Sequence, residues 1–285
     1  MKLLEYNHTY ILDPQNPAEL ARLMVQDRMI TEGMHGLLPE RDRGEKLRSI
    51  LDVGCGSGGW ALEVAYAYPH RSVVGIDISP VMIDYNRTQA EVQHLDNMKF
   101  LVMDALQPLK FEIGTFDLVN VRAATAFVPR AQWPAFLQNC LQVLRKGGIL
   151  RVTEGEAVGL TNSPTCEKIN AWAAQMLYAR GYGFSHDGSH IGTLPMLGLL
   201  LQEVGCVHIS SMPHILDFSS GTPLHESQHQ NYMIWPLMLK NSLLTTLPIT
   251  EEEFDQTYQQ MLSEIQMSQF RGLWSLLTVW GVKGE

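Results

Sequence analysis

The sequence predicts an α/β protein built on a doubly wound parallel sheet, from three observations. First, the apolar run Ser49-Ile50-Leu51-Asp52-Val53 ends in the glycine-rich turn Gly54-Cys55-Gly56-Ser57-Gly58-Gly59, and a helical pattern (Ala61, Leu62, Val64, Ala65) follows at once. A buried strand, a tight loop and a helix make the first unit of an open α/β sheet. Second, short apolar runs alternate with helical patterns from residue 49 to residue 154, which gives parallel strands with helices on both faces. Third, later runs close on an acid, at Asp77, Asp104 and Glu154. Ligands of such sheets sit beyond the carboxyl ends of the strands, so the site is expected there.

In chain order, residues 1–16 read as irregular. Asn16-Pro17-Ala18-Glu19 then reads as a helix start, with Asn at the N-cap and Pro at the first helical position. Strand 1 and its loop follow. Ser72–Asp77 is a second strand, and Ser79-Pro80 starts a helix to about Gln93. Met98–Met103 and Phe116–Val121 are strands three and four. Trp133 to Leu144 is a helix, with Lys146-Gly147-Gly148 expected as its C-cap and turn. Ile149–Thr153 is the fifth strand.

After Glu154 the pattern changes. Helices are expected from Ser163-Pro164 through Leu177, over Leu194–Val204, and over residues 224–246 and 250–267, with strands at Cys206–Met212 and Trp274–Val282. A glycine-rich loop, Gly181 to Gly192, carries His186 and His190. The late helices read as a lid on one domain: an N-terminal helical segment (1–48), a ligand-binding core (49–154), and lid helices with a terminal strand pair (155–285).

Composition narrows the function. A net charge of −9, with lysines and arginines scattered, leaves no basic surplus to neutralise phosphates, so no nucleic-acid partner is expected. No apolar stretch is long enough to cross a bilayer, and Met1–Asp13 lacks the apolar core of a signal peptide. Four widely spaced cysteines fit a reducing cytoplasm better than a disulfide framework. A monomer or homodimer is expected.

The glycine loop is ambiguous by itself. Gly54, Gly56 and Gly59 satisfy the spacing that seats a dinucleotide pyrophosphate, while Gly54, Gly56 and Gly58 satisfy a tighter acid-x-G-x-G-x-G form. Asp77 stands where an acid hydrogen-bonds ribose hydroxyls. Asp104 stands where an acid can accept a bond from an adenine amino group. A rim holding Asp52, Asp77, Asp104 and Glu154 suits a positively charged ligand better than a pyrophosphate.

Together, Leu51–Gly58, Val74–Ser79, Met103-Asp104-Ala105, Phe116–Val119 and Leu144–Leu150 resemble the class I S-adenosylmethionine-dependent methyltransferases, especially the ubiquinone/menaquinone-biosynthesis type and its small-molecule relatives. The resemblance implies a Rossmann-like seven-stranded sheet with its last strand antiparallel. It implies S-adenosyl-L-methionine as cofactor and methyl transfer to a small organic acceptor through O, C or N, and the lid's Trp172, Met176, Tyr178, Phe184, Tyr232, Met233 and Trp235 suggest an apolar pocket for a hydrophobic one. By the same resemblance Gly54 and Gly56 would approach the methionine end, with Val121 and Arg122 lining it, Asp52 would keep the loop in register, and Cys55 would belong to the cofactor site. Asp77 would hold the ribose, Ile78 and Met82 would pack on the adenine, Asp104 and Ala105 would read its edge, and Tyr10 would close over the cofactor.

The acceptor side carries no comparable motif. His35, His186, His190, Tyr182 and Glu154 are the candidate general bases. His225-Glu226-Ser227-Gln228-His229 matches the short H-E-x-x-H zinc pattern, but no third ligand is evident and no metal is expected; a polar turn at the edge of the lid is the better reading. Two alternatives stand beside methyl transfer: an NAD-dependent oxidoreductase, and a non-methylating, pericyclase-like protein that binds the same cofactor.

Overall fold

The computed structural model describes residues 9–13, 15–39, 47–156 and 159–284. The expectations for residues 1–8 lie outside them. Helix α1 (Pro17–Gly33) starts as its sequence dictates, with Asn16 Oδ1 accepting from the Ala18 N–H. The core then runs β1 (Ser49–Val53), α2 (Gly59–Ala67), β2 (Ser72–Asp77), α3 (Pro80–Val92), β3 (Met98–Val102), β4 (Phe116–Arg122), α4 (Trp133–Val143) and β5 (Leu144–Gly155). After it come β6 (Leu160–Thr161), α5 (Pro164–Ala179), α6 (Leu197–Glu203), β7 (Cys206–Asp217), α7 (His225–Thr246), α8 (Glu251–Ile265) and β8 (Gly272–Lys283).

The long strands lie in the order β3-β2-β1-β4-β5-β8-β7. Strands β1 to β5 pair in parallel, and β8 runs antiparallel to both β5 and β7. The chain winds outward from β1 in both directions, so the topological switch point is the crevice beyond the ends of β1 and β4. The buried strands are apolar almost throughout: Ile50, Leu51 and Val53 in β1 and Leu118, Val119 and Val121 in β4 are all fully buried.

Four local differences from expectation have physical causes. The sheet has an eighth strand, β6, two residues long. It continues the β5 edge along β8, since Gly155 pairs Leu276 and Leu160 pairs Leu273. The segment after α4 is not a helix cap: the chain enters β5 directly at Leu144, and a register shift against Phe116–Leu118 takes up the glycines as a bulge. β7 runs five residues past Met212 because its partner β8 is long enough to pair it to Asp217. Residues 225–229 are the first turns of α7, inside the helix expected over 224–246, and not the polar turn expected from the H-E-x-x-H match.

The late helices and α1 share one apolar cluster. Met29 and Ile30 of α1, with Met34 just past its end, pack with Ile169 and Met176 of α5, Tyr232 and Trp235 of α7, and Phe254 and Met261 of α8. This cap stands over the crevice. No helix among the described residues is long and apolar enough to cross a membrane.

Candidate functional site

The glycine loop is shaped by contacts on both sides. Gly56 has φ of 52°, a left-handed conformation that glycine adopts without a Cβ penalty. Its N–H donates to Asp77 Oδ2 at 2.9 Å, and its carbonyl accepts from Asn86 Nδ2 at 2.8 Å. The other Asp77 oxygen accepts from the Ser79 N–H at 2.9 Å. One carboxylate therefore ties the loop after β1 to the loop after β2, and burial raises its pKa. A Cβ on Gly54 would stand 2.9 Å from the Phe127 ring, so glycine is needed for that close approach.

A cavity of about 860 Å³ opens here. Tyr10, Gly54, Gly56, Asp77, Ile78 and Met82 line it. Asp104, Ala105 and Arg122 line it too. Asp52 and Cys55 line an adjoining recess behind the loop instead. Asp52 accepts from Asn120 Nδ2 at 2.7 Å, and Asn120 accepts from Arg151 Nη1 at 2.7 Å. This buried chain joins β1, β4 and β5 beneath the loop, and burial lifts the Asp52 carboxyl to about 7. Val121 is fully buried within β4 and lines none of these spaces.

Helix α1 contributes what the motifs did not foretell. Arg22, Leu23 and Gln26 line the main cavity. Asp27 pairs with Arg122, which also donates to Thr31 Oγ1 at 3.3 Å. A Cβ on Gly59 would fall 2.0 Å from Asp27 Oδ2, so a carboxylate from α1 lies against the first residue of α2. That helix N-terminus is where a dinucleotide site seats its pyrophosphate. Here the protein's own acid covers it. Gly59 makes room for Asp27, which explains a glycine at the spacing that first read as a dinucleotide motif.

A second cavity, of about 880 Å³, lies beside the first and shares Tyr10, Arg22, Gln26, Ala123 and Ala126 with it. Those five residues form the waist between them. The far wall comes from the cap: Leu177 on α5, Trp235 and Leu239 on α7, Trp274 on β8.

Of the five candidate bases, only Glu154 lines this second cavity. It sits at the end of β5 and accepts from the Ala124 N–H at 2.5 Å and Thr125 Oγ1 at 2.9 Å. Burial outweighs these donors and raises its pKa to about 7. His35, His186 and His190 are exposed and line neither cavity. The loop from 181 to 192 turns His186 and His190 to the surface, where His190 Nδ1 meets Ser189 Oγ at 2.9 Å. Tyr182 is buried, but its hydroxyl is spent on the Thr9 carbonyl. In the H-E-x-x-H segment, His225 Nδ1 faces the Phe218 carbonyl at 3.1 Å. Among the described residues no group of three or more His, Cys, Asp or Glu is placed to hold a metal ion.

The waist is held by a buried network. Arg22 Nε and Nη2 donate to the two Glu19 oxygens at 2.7 Å each, and the Tyr10 hydroxyl donates to the same carboxylate. Arg22 Nη1 donates to Asn231 on α7 at 3.0 Å and also to Gln26. Removing one partner of a buried pair leaves an uncompensated charge. Arg22→Met is therefore expected to lower stability by about 3–5 kcal/mol, read as a fall in the urea midpoint at unchanged slope. A loss below about 1 kcal/mol would place the pair in the weak, solvent-screened class.

The chain matches the methyltransferase domain family over residues 50–148, from β1 to the bulge in β5. Trans-aconitate 2-methyltransferase of Deinococcus radiodurans is 28% identical over 64% of this chain and 66% of that protein. Demethylmenaquinone methyltransferase of Lactococcus lactis is 31% identical over 35% of this chain and 39% of that protein. The chain spans about half to two thirds of the length of curated relatives that it matches. Among solved structures, Haemonchus contortus phosphoethanolamine N-methyltransferase 2 in complex with S-adenosyl-L-methionine has a TM-score of 0.55 at 16% identity, over 93% of this chain and 57% of that one. That likeness is one of fold.

Proposed function

We infer, because this chain belongs to the class I S-adenosylmethionine-dependent methyltransferases, that it moves a methyl group from that cofactor to a small, mainly apolar organic acceptor. The observation that carries this reading is the pair of cavities joined at one waist. On it, the first cavity, walled by the strand-end loops and α1, takes the cofactor, and the second, walled by Glu154 and the cap, takes the acceptor.

The lining of the first cavity fits the cofactor. Each Asp77 oxygen is engaged by one backbone N–H and keeps lone-pair capacity for a ribose hydroxyl. Both arginines on the wall are already paired, Arg22 with Glu19 and Arg122 with Asp27. Asp77 and Asp104 thus leave an acidic wall, which favours a positively charged sulfonium over a phosphate. The same balance, with Asp27 over α2, weighs against NAD.

When bound, S-adenosylmethionine would supply an electrophilic methyl group, with its sulfur as the leaving group. The chain's own part is alignment and water exclusion. Tyr10, Arg22 and Gln26 narrow the passage through which the acceptor would reach the methyl group. Glu154 takes the proton that the acceptor atom loses as its new bond to carbon forms. A carboxyl of pKa about 7 is poised for that step at neutral pH.

The test is label transfer from methyl-labelled S-adenosylmethionine to a panel of small hydroxylated aromatic and carbonyl compounds. Transfer is expected, and Glu154→Gln should lower its rate by about 10²–10⁴-fold with S-adenosylhomocysteine affinity unchanged. Binding of cofactor without transfer to any acceptor would contradict methylation and favour the non-methylating alternative.

The same variant has a stability signature. The Glu154 carboxyl titrates near 4.5 in the unfolded chain and near 7 when folded. Between those values the folded protein holds a proton that the unfolded chain has lost, so stability falls as pH rises through the window. Glu154→Gln should flatten that fall by about 3 kcal/mol, leaving the share that Asp52 contributes over a similar range.

A further inference from the structure

The second cavity holds an unusual set of polar atoms. Asn170 Oδ1, Trp235 Nε1 and Trp274 Nε1 are buried and meet no hydrogen-bond partner in the protein. All three residues line this cavity, and they are only 5%, 5% and 7% exposed. They come from three separate elements, α5, α7 and β8, so no single local distortion explains them. An unmet buried donor or acceptor costs about 1–3 kcal/mol. Groups retained at that cost, in residues that line one space, are an argument for a ligand's polar atoms there.

The atoms specify what the ligand must offer. Asn170 Nδ2 donates to the Gly159 carbonyl at 2.8 Å and to Tyr232 Oη at 3.3 Å. Those bonds fix the amide's orientation and leave its oxygen in need of a donor. Each indole N–H can only donate, so Trp235 and Trp274 each need an acceptor. A Cβ on Gly155 would stand 2.8 Å from Trp274 Nε1, so glycine leaves that indole edge its space.

Charge completes the picture. Arg22 is committed to Glu19, Gln26 and Asn231, and Glu154 to Ala124 and Thr125. Among the described residues no lysine or histidine lines the space, and most of its remaining wall is aliphatic. A phosphate or polycarboxylate placed there would be desolvated with no free cation to meet it.

We propose that the acceptor substrate is a neutral, mainly apolar hydroxy-carbonyl compound, with its hydroxyl donating to Asn170 and its oxygens accepting from Trp235 and Trp274. This rests on reading the second cavity as the acceptor site.

The experiment uses the full chain saturated with S-adenosylhomocysteine at pH 6.5, titrated with 4-hydroxybenzophenone, trans-aconitate and phosphoethanolamine in turn. Saturable binding of the ketone alone is expected. Trp235→Phe and Trp274→Phe keep an aromatic ring and delete only the donor, and each should weaken ketone binding about 5–10-fold with S-adenosylhomocysteine affinity retained. Binding of trans-aconitate or phosphoethanolamine overturns the proposal. So does failure of the ketone to bind, or wild-type ketone affinity in both variants. Calorimetry with S-adenosylhomocysteine alone keeps the two readings apart: its failure removes the cofactor assignment, whereas its success with the ketone failing removes only the acceptor class.

Discussion

Replacing Gly56 with valine is expected to abolish S-adenosylhomocysteine binding while leaving the protein folded. Gly56 sits at φ of 52°, and a β-branched residue there is a genuine outlier. Strain of this kind costs about 1–3 kcal/mol. That is too little to unfold a sheet whose core lies elsewhere, but enough to displace a loop. A Cβ at this position would stand 3.4 Å from Leu23 Cδ1 on α1, so the valine methyls project between loop and helix, where the cavity lies. The loop's hydrogen bonds to Asp77 and Asn86 would have to shift with it. A calorimetric affinity at least about 100-fold weaker, beside an unchanged circular dichroism spectrum, is the expected pair of results. Wild-type affinity would remove the loop from the site.

Asp77→Ala has the next largest expected effect. The carboxylate is asked to do two things: tie the loops after β1 and β2 together through Gly56 and Ser79, and accept from ribose hydroxyls. Hydrogen bonds to a charged group contribute about 1.5–3 kcal/mol each. Losing both ribose contacts therefore predicts a fall in affinity of at least about 100-fold. Asp77→Asn retains one acceptor oxygen and should fall between alanine and the native residue. An alanine variant within about 5-fold of wild type would show that Asp77 only anchors the loops.

These two residues belong to the part of the molecule that is most legible from sequence. β1, its loop and β2 are built from contiguous segments, and each residue's role follows from neighbours a few positions away. The parallel pairing of the core strands follows from strand–helix alternation. The acceptor side is different. Arg22 and Asn231 meet although 209 residues separate them, and neither stands in a recognisable pattern. Asp27 covers the end of α2 only because the cap presses α1 onto the crevice. A sequence-level hint existed in Gly59, whose spacing demanded a close approach without saying to what. The histidines on the loop from 181 to 192 drew attention by their chemistry, yet exposed loop backbone is free to turn such side chains to solvent. Glu154 differed because a strand end fixes its direction. Asn170, Trp235 and Trp274 read as ordinary core residues of apolar helices and a strand, and only their convergence on one cavity distinguishes them.

The central claim is that the glycine loop and Asp77 serve a sulfonium nucleoside and not a dinucleotide. Calorimetric titration of the full chain with S-adenosylhomocysteine and, separately, with NAD tests it most directly. Saturable one-site binding of S-adenosylhomocysteine with no detectable heat from NAD is the predicted result. Binding of NAD, or no binding of S-adenosylhomocysteine by freshly purified protein, would contradict it.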